Sequence, residues 1–138
     1  MNRESGLARL LASIDPQLHP GVFVFCAVGA DKVPAGLRPL MVFHEGEGPT
    51  LVLPVGDAEA AGLTGEFPCR WITLGVISEL SAVGFLASVT AGLAGAGISA
   101  NAVSAFHHDH LFVPAGEAER AVEVIRALQA EHSGVAEP

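Results

Sequence analysis

Four consecutive residues, His107-His108-Asp109-His110, are the densest set of ligands and proton carriers in the sequence. Imidazoles two residues apart, such as His108 and His110, share one side of a strand and can chelate zinc. A structural zinc wants four ligands, and only Asp109, His44 and Cys69 are on hand to complete the set. No CxxC or HExxH spacing supports them. The plainer reading is a hairpin turn in which Asp109 accepts backbone N–H groups and orients a neighbouring imidazole. No metal and no cofactor are expected. Cys69 beside Arg70 fits a thiol whose pKa is lowered by a cation, but no base and orienting group are arranged around it. Cys26 sits in an apolar run and reads as packing. No serine stands in a Gly-x-Ser-x-Gly elbow, so no catalytic set assembles. Gly92, Gly95 and Gly97 resemble a nucleotide loop only superficially. They close a helix and precede a strand, whereas a dinucleotide fingerprint follows a strand and opens a helix; a C-cap is expected there.

The stretch Ser78-Glu79-Leu80-Ser81 is the better binding candidate. It lies where a strand ends and a helix begins, so free N–H groups and the positive end of the helix dipole can hold a carboxylate. Glu79 can face a cationic group of the same ligand. The simpler alternative is a capped helix alone, with Ser78 as cap and Glu79 favourable to the dipole.

These residues must be positioned by the surrounding elements. Leu7, Leu10, Leu11 and Ile14 have helical spacing over 5–14, and Asp15-Pro16 stops that helix. The run Val-Phe-Val-Phe-Cys-Ala-Val at 22–28 predicts a strand buried on both faces. Strands follow at 37–44 and 50–53, joined by a hairpin through Glu45-Gly46-Glu47-Gly48. Asp57 is placed to cap a short helix at 58–63. A second section starts near Phe67-Pro68, with a strand at 69–77 and a helix at 79–94 that carries Leu80, Val83, Leu86, Ala87, Thr90 and Leu93 along one side. Strands at 98–106 and 110–113 come next, ended by Pro114, then a helix at 116–130. The alternation places Ile98, Ala100, Ala102 and Ser104 on one face of the first of these strands, and Asn101, Val103 and Ala105 on the other. Antiparallel sheet with helices on one face is an α+β fold. The second section reads β-α-β-β-α, and its missing edge must come from a strand of the first section, from a partner, or from nowhere.

Composition removes whole classes of function. The chain has 138 residues, half of them hydrophobic, and a formal charge of −8 from 15 acidic and 7 basic residues. Disorder and phosphate-driven nucleic-acid binding are not expected from that balance. Residues 80–108 carry no Asp, Glu, Lys or Arg. Gly84, Gly92, Gly95, Gly97, Ser81, Ser88, Thr90, Ser99 and Asn101 interrupt the stretch, and basic flanks are missing, so no membrane span is expected. Two cysteines make no disulfide framework, and no secretory signal is read at the N-terminus; a reducing cytoplasm is the expected location.

The second section is similar to an ACT domain. The likeness is carried by Trp71-Ile-Thr-Leu-Gly-Val-Ile-Ser78, by Val83-Gly84, and by Gly97-Ile-Ser-Ala-Asn101 leading to Phe106-His-His-Asp-His110. Leu10-Leu11, Pro20-Gly21-Val-Phe-Val-Phe-Cys26 and Phe43-His-Glu-Gly-Glu-Gly-Pro-Thr-Leu53 extend it, and the whole chain resembles small bacterial proteins with two ACT-like units. The resemblance implies two tandem ferredoxin-like βαββαβ units: 1–66 as an N-terminal ACT-like unit, 67–133 as a C-terminal ACT domain, and 134–138 as a loose tail. It implies non-catalytic regulation by a small ligand, an amino acid, in a homodimer. Carried onto this sequence, the ligand site maps to Ser78, Glu79, Ser81, Val83, Gly84 and Asn101. The alternatives are an assembly module without a working ligand site, and a metal-dependent enzyme using His107 to His110.

Overall fold

The computed structural model describes residues 3–29, 33–76 and 79–135. They form two compact units, one made of residues 1–19 with 71–138 and the other of residues 20–70. The start of the chain thus packs as part of the same compact unit as residues 71–138.

In the first unit, helix α1 (Arg3–Ala12) forms on the expected leucine spacing. Leu11 and Ile14 are buried, with Leu7 and Leu10 packed against the same core. Both the N–H and the hydroxyl of Ser13 turn back to the Arg9 carbonyl and end the helix. A short strand then forms that the sequence does not announce, β1 (Pro16–Leu18). It pairs antiparallel with the end of β5 (Glu66–Leu74), Pro16 opposite Leu74 and Leu18 opposite Ile72. This strand supplies the edge that the β-α-β-β-α pattern lacks. Gly75 makes the close approach possible. Its N–H donates to the Asp15 carbonyl at 2.8 Å, and a Cβ there would lie 2.5 Å from that oxygen.

The same unit continues with α3 (Phe85–Gly95), β6 (Asn101–Ser104), β7 (Asp109–Pro114) and α4 (Ala118–Val135). The strand order is β1-β5-β7-β6. The expected hairpin is present, with Asn101 opposite Phe112 and Ser104 opposite Asp109. Ile72, Leu74, Leu111 and Val113 share one core with Val89, Leu93 and Ile125 from the helices. By alternation, Trp71, Thr73, His110 and Phe112 point to the other face of the strands. The glycine run closes α3 as expected. Gly97 takes φ +76°, its N–H bonds to the Ala94 carbonyl, and the Ile98 N–H bonds to the Leu93 carbonyl, which is a Schellman cap with its apolar Ile98–Leu93 contact. Helix α4 runs to Val135, so Gly134 and Val135 are helical rather than loose. The remainder of the expected tail lies outside the described residues.

In the second unit the strands run in the order β3-β4-β2-β5, with β2 (Phe23–Ala27), β3 (Met41–Glu45) and β4 (Gly48–Pro54). The β3–β4 hairpin turns where expected, and Gly48 takes φ +128°. Helix α2 (Val55–Ala60) starts three residues earlier than predicted. Asp57 therefore lies in its first turn and makes no cap bond. Val24, Cys26, Leu51, Leu53 and Ala58 form this unit's core.

Candidate functional site around Glu79 and the start of helix α3

The predicted helix start at Glu79 is not observed. Helix α3 begins at Phe85, and its N-cap is Gly84 with φ +88°. That left-handed backbone ends any helix arriving from the N-terminal side and suits only glycine well. Ser78, the expected cap, and Ile77 lie outside the described residues. The residues in between form a loop, with the Ala82 N–H donating to the Glu79 carbonyl at 2.9 Å. Leu80 and Val83, assigned by spacing to an inner helix face, are instead 67% and 61% exposed. The spacing misled because a helical apolar pattern says nothing about φ at Gly84. Gly84 itself is engaged: its carbonyl accepts the Ser88 N–H at 2.9 Å and the Ser88 hydroxyl at 2.8 Å.

A cleft opens between this loop and the β6–β7 hairpin. Glu79, Phe85, Leu86, Ser104 and Asp109 line it, and its volume is about 50 Å³. That is room for a water or two rather than an amino acid. Of the predicted site residues, Glu79 is at the cleft. Exposed Ser81 and Val83 belong to the same loop without lining it, and Gly84 caps the helix beside it. Asn101 is not brought in: it faces the same side as Phe112, whereas the cleft takes Ser104 and Asp109 from the opposite side of the hairpin. Period-two alternation could have found Ser104. Its hydroxyl donates to the Asp109 carboxylate at 2.6 Å, and Asp109 is only 7% exposed. Gly84 brings no side-chain oxygen, so among the described residues α3 has no side-chain cap bond. Glu79 and Asp109 thus line one cleft with Phe85 and Leu86, the first two residues of α3, whose N–H groups are among those that a helix leaves without an intrahelical partner.

On the other face of the strands lies a polar network that the sequence did not reveal. His19 stacks on Trp71 with ring centroids 3.5 Å apart. Its Nε2 lies 2.7 Å from the Thr73 hydroxyl, and that hydroxyl lies 3.0 Å from His110 Nδ1. The Trp71 indole N–H donates to the same Nδ1 at 3.0 Å. An indole N–H only donates, so His110 Nδ1 is an acceptor and the neutral ring carries its proton on Nε2. The Thr73 hydroxyl then donates to His110 and accepts from His19. Burial holds both imidazoles below the ordinary histidine range. For His110, the charges of His108 and His19 add to that, and Asp109 opposes it.

The two cysteines are placed by their burial. Cys69 is fully buried, its thiol donates to the Phe23 carbonyl at 3.3 Å, and burial pushes its pKa up to about 11. The lowering by Arg70 does not occur. Cys26 is buried as packing, with its thiol also raised by burial. Among the described residues no three His, Cys, Asp or Glu side chains converge to hold a metal, and no helix is long and apolar enough to cross a membrane.

A family model described as an ACT domain matches residues 3–70, and a second, also described as an ACT domain, matches residues 66–127. The chain belongs to the ACT-domain family. It is a small protein with two ACT domains in tandem. A Vibrio cholerae protein of unknown function whose structure is solved is 37% identical with a TM-score of 0.83, over 93% of this chain and 99% of its own. An Agrobacterium tumefaciens protein shares the fold at 17% identity and TM-score 0.71, covering 84% of this chain and 89% of its own. The ligand-free regulatory subunit of Thermus thermophilus aspartate kinase does so at 12% identity and TM-score 0.61, covering 84% and 99%. No curated protein matches this ACT protein in sequence.

Proposed function

We propose that this ACT protein is a non-catalytic, cytoplasmic regulatory module that binds an amino acid in the cleft between Glu79 and the start of α3. ACT domains are typically regulatory rather than catalytic, and regulation by a small ligand accords with aspartate kinase regulatory subunits among the structures sharing this fold. The observation that carries the reading is that the start of α3 and the two acidic residues Glu79 and Asp109 line one cleft. An α-carboxylate would sit on the N–H groups of the first turn, and the ammonium between Glu79 and Asp109. A cleft of about 50 Å³ has to widen for this. The loop from Glu79 to Gly84 is the part able to move, since Leu80 and Val83 are already largely out of the core. A second copy of the chain covering Leu80, Val83 and Phe106, the last 76% exposed, would close the site into a homodimer.

The small cleft specifically favours one competing reading, an assembly module with no working ligand site. A thermal-shift screen of the free amino acids separates the two. A ligand present at a hundred times its dissociation constant adds about 2.7 kcal/mol to stability. The proposed function predicts at least one such shift, and the assembly module predicts none.

A further inference from the structure

The second unit holds a groove unrelated to the cleft at Glu79. Its volume is about 580 Å³, within the range of about 300–1,000 Å³ typical of small-ligand sites. One wall is the turn Pro34-Ala35-Gly36-Leu37, closed by the Leu37 N–H on the Pro34 carbonyl at 3.4 Å, with Gly36 at φ +86°. Leu37 is anchored against the unit's core, so the turn presents the next residue, Arg38, from a fixed base. The other wall is the end of α2. The Gly62 N–H bonds to the Glu59 carbonyl and the Leu63 N–H to the Ala58 carbonyl, a second Schellman cap that fixes Ala60 and Ala61 along the groove. Asp57 lines it too.

Arg38 and Asp57 are both exposed, and neither side chain has an ion pair or hydrogen bond among the described residues. A guanidinium fork binds a carboxylate in two parallel N–H···O bonds, and a carboxylate accepts an ammonium. Leu37, Ala60 and Ala61 line the same groove and add apolar surface to its walls.

We infer that the Arg38–Asp57 groove is a second small-molecule site, selective for a zwitterion with an apolar middle whose carboxylate is held by Arg38 and whose ammonium is held by Asp57. This goes beyond the amino-acid site at Glu79 and uses none of its residues.

The test is an amide-resolved NMR titration of the full chain. The probes are L-leucine, γ-aminobutyrate and ε-aminocaproate, which carry the two charges at increasing separation. Hexanoate and hexylamine serve as single-charge controls. The expected result is saturable shifts at Gly36, Leu37, Arg38, Ala60 and Ala61 for at least one zwitterion. Its affinity should be about tenfold above that of either control, and should fall by about tenfold in both Arg38→Gln and Asp57→Asn, the scale of one lost charge-assisted hydrogen bond. Both residues are exposed, so each variant should keep the parent's spectrum elsewhere. The inference is overturned if no zwitterion shifts those amides at millimolar concentration, if the controls bind equally well, or if both variants bind as the parent does. Shifts confined to the amides around Glu79, Phe85 and Asp109 would also overturn it, while leaving the Glu79 reading intact.

Discussion

Protonating His110 has to happen at Nδ1, because its Nε2 already carries the neutral ring's proton. A proton at Nδ1 would point at the Trp71 indole N–H, which has nothing to accept it. That bond is lost, and the Thr73 hydroxyl must turn from donor to acceptor toward His110. The sign of the pH effect follows. The folded-state values of His110 and His19 lie below the unfolded value of 6.5. Their contribution to stability is therefore complete above that pH and is lost as pH falls through the lowered values. Thermal midpoints should drop between neutral and mildly acidic pH, with a change in Trp71 fluorescence. His110→Asn, whose amide oxygen replaces the Nδ1 acceptor without titrating, should flatten that drop. An unchanged pH profile in that variant would remove His110 from the account. This network was not legible in the sequence. Its hydrogen bonds join residues 37 to 54 positions apart, and no local spacing reports which strands become neighbours. The adjacent histidines drew attention instead, yet only His110 of the three enters the network.

At the scale of elements, patterns fixed by local chemistry were readable and those fixed by one dihedral or a distant contact were not. The α1 leucines, the glycine that closes α3 and the β6–β7 hairpin all follow from periodicity and capping rules. The start of α3 and the strand β1 do not. The former depends on φ at Gly84, and the latter on β5 arriving alongside three residues with no strand pattern of their own. Two glycines give opposite predictions. Gly75→Ala forces a Cβ to 2.5 Å from the Asp15 carbonyl, where backbone rather than a side-chain tip must give way. It should destabilise the protein by about 1–3 kcal/mol. Gly95 is the last residue of α3, and a Cβ there meets nothing within 4 Å. Gly95→Ala should stabilise by about 0.4–1 kcal/mol through the unfolded state. Denaturant midpoints of the two variants measure both effects, and equal shifts in one direction would contradict the close-approach argument at β1.

For the whole molecule, the α+β class was legible in the order of elements, and the tandem ACT organisation in the resemblance carried by stretches such as Trp71–Ser78 and Gly97–Asn101. A strand of the first section was one of three readings for the later unit's missing edge, and no motif marks Pro16–Leu18 as the strand that fills it. Assembly is the open expectation at this scale. Strand β6 is at the end of its unit's strand order, and Leu80, Val83 and Phe106 are exposed on the same unit. Both features invite a second copy. Light scattering at tens of micromolar should therefore give about twice the chain mass of 14.2 kDa. Leu80→Asp with Phe106→Asp should return the monomer, because a charge buried in an apolar contact without a partner is costly. A parent that scatters as a monomer with and without amino acids would contradict the dimer.

The most direct measurement is calorimetric titration of the parent and of Glu79→Gln with whichever amino acid raises the melting temperature. Glu79 is exposed, so the variant keeps the fold and loses only the anion facing the ligand's ammonium. Saturable binding by the parent, weakened by about 1–3 kcal/mol in Glu79→Gln, is the predicted result. Equal affinity in the two proteins would move the site away from the start of α3. No heat with any amino acid at millimolar concentration would contradict ligand-dependent regulation altogether.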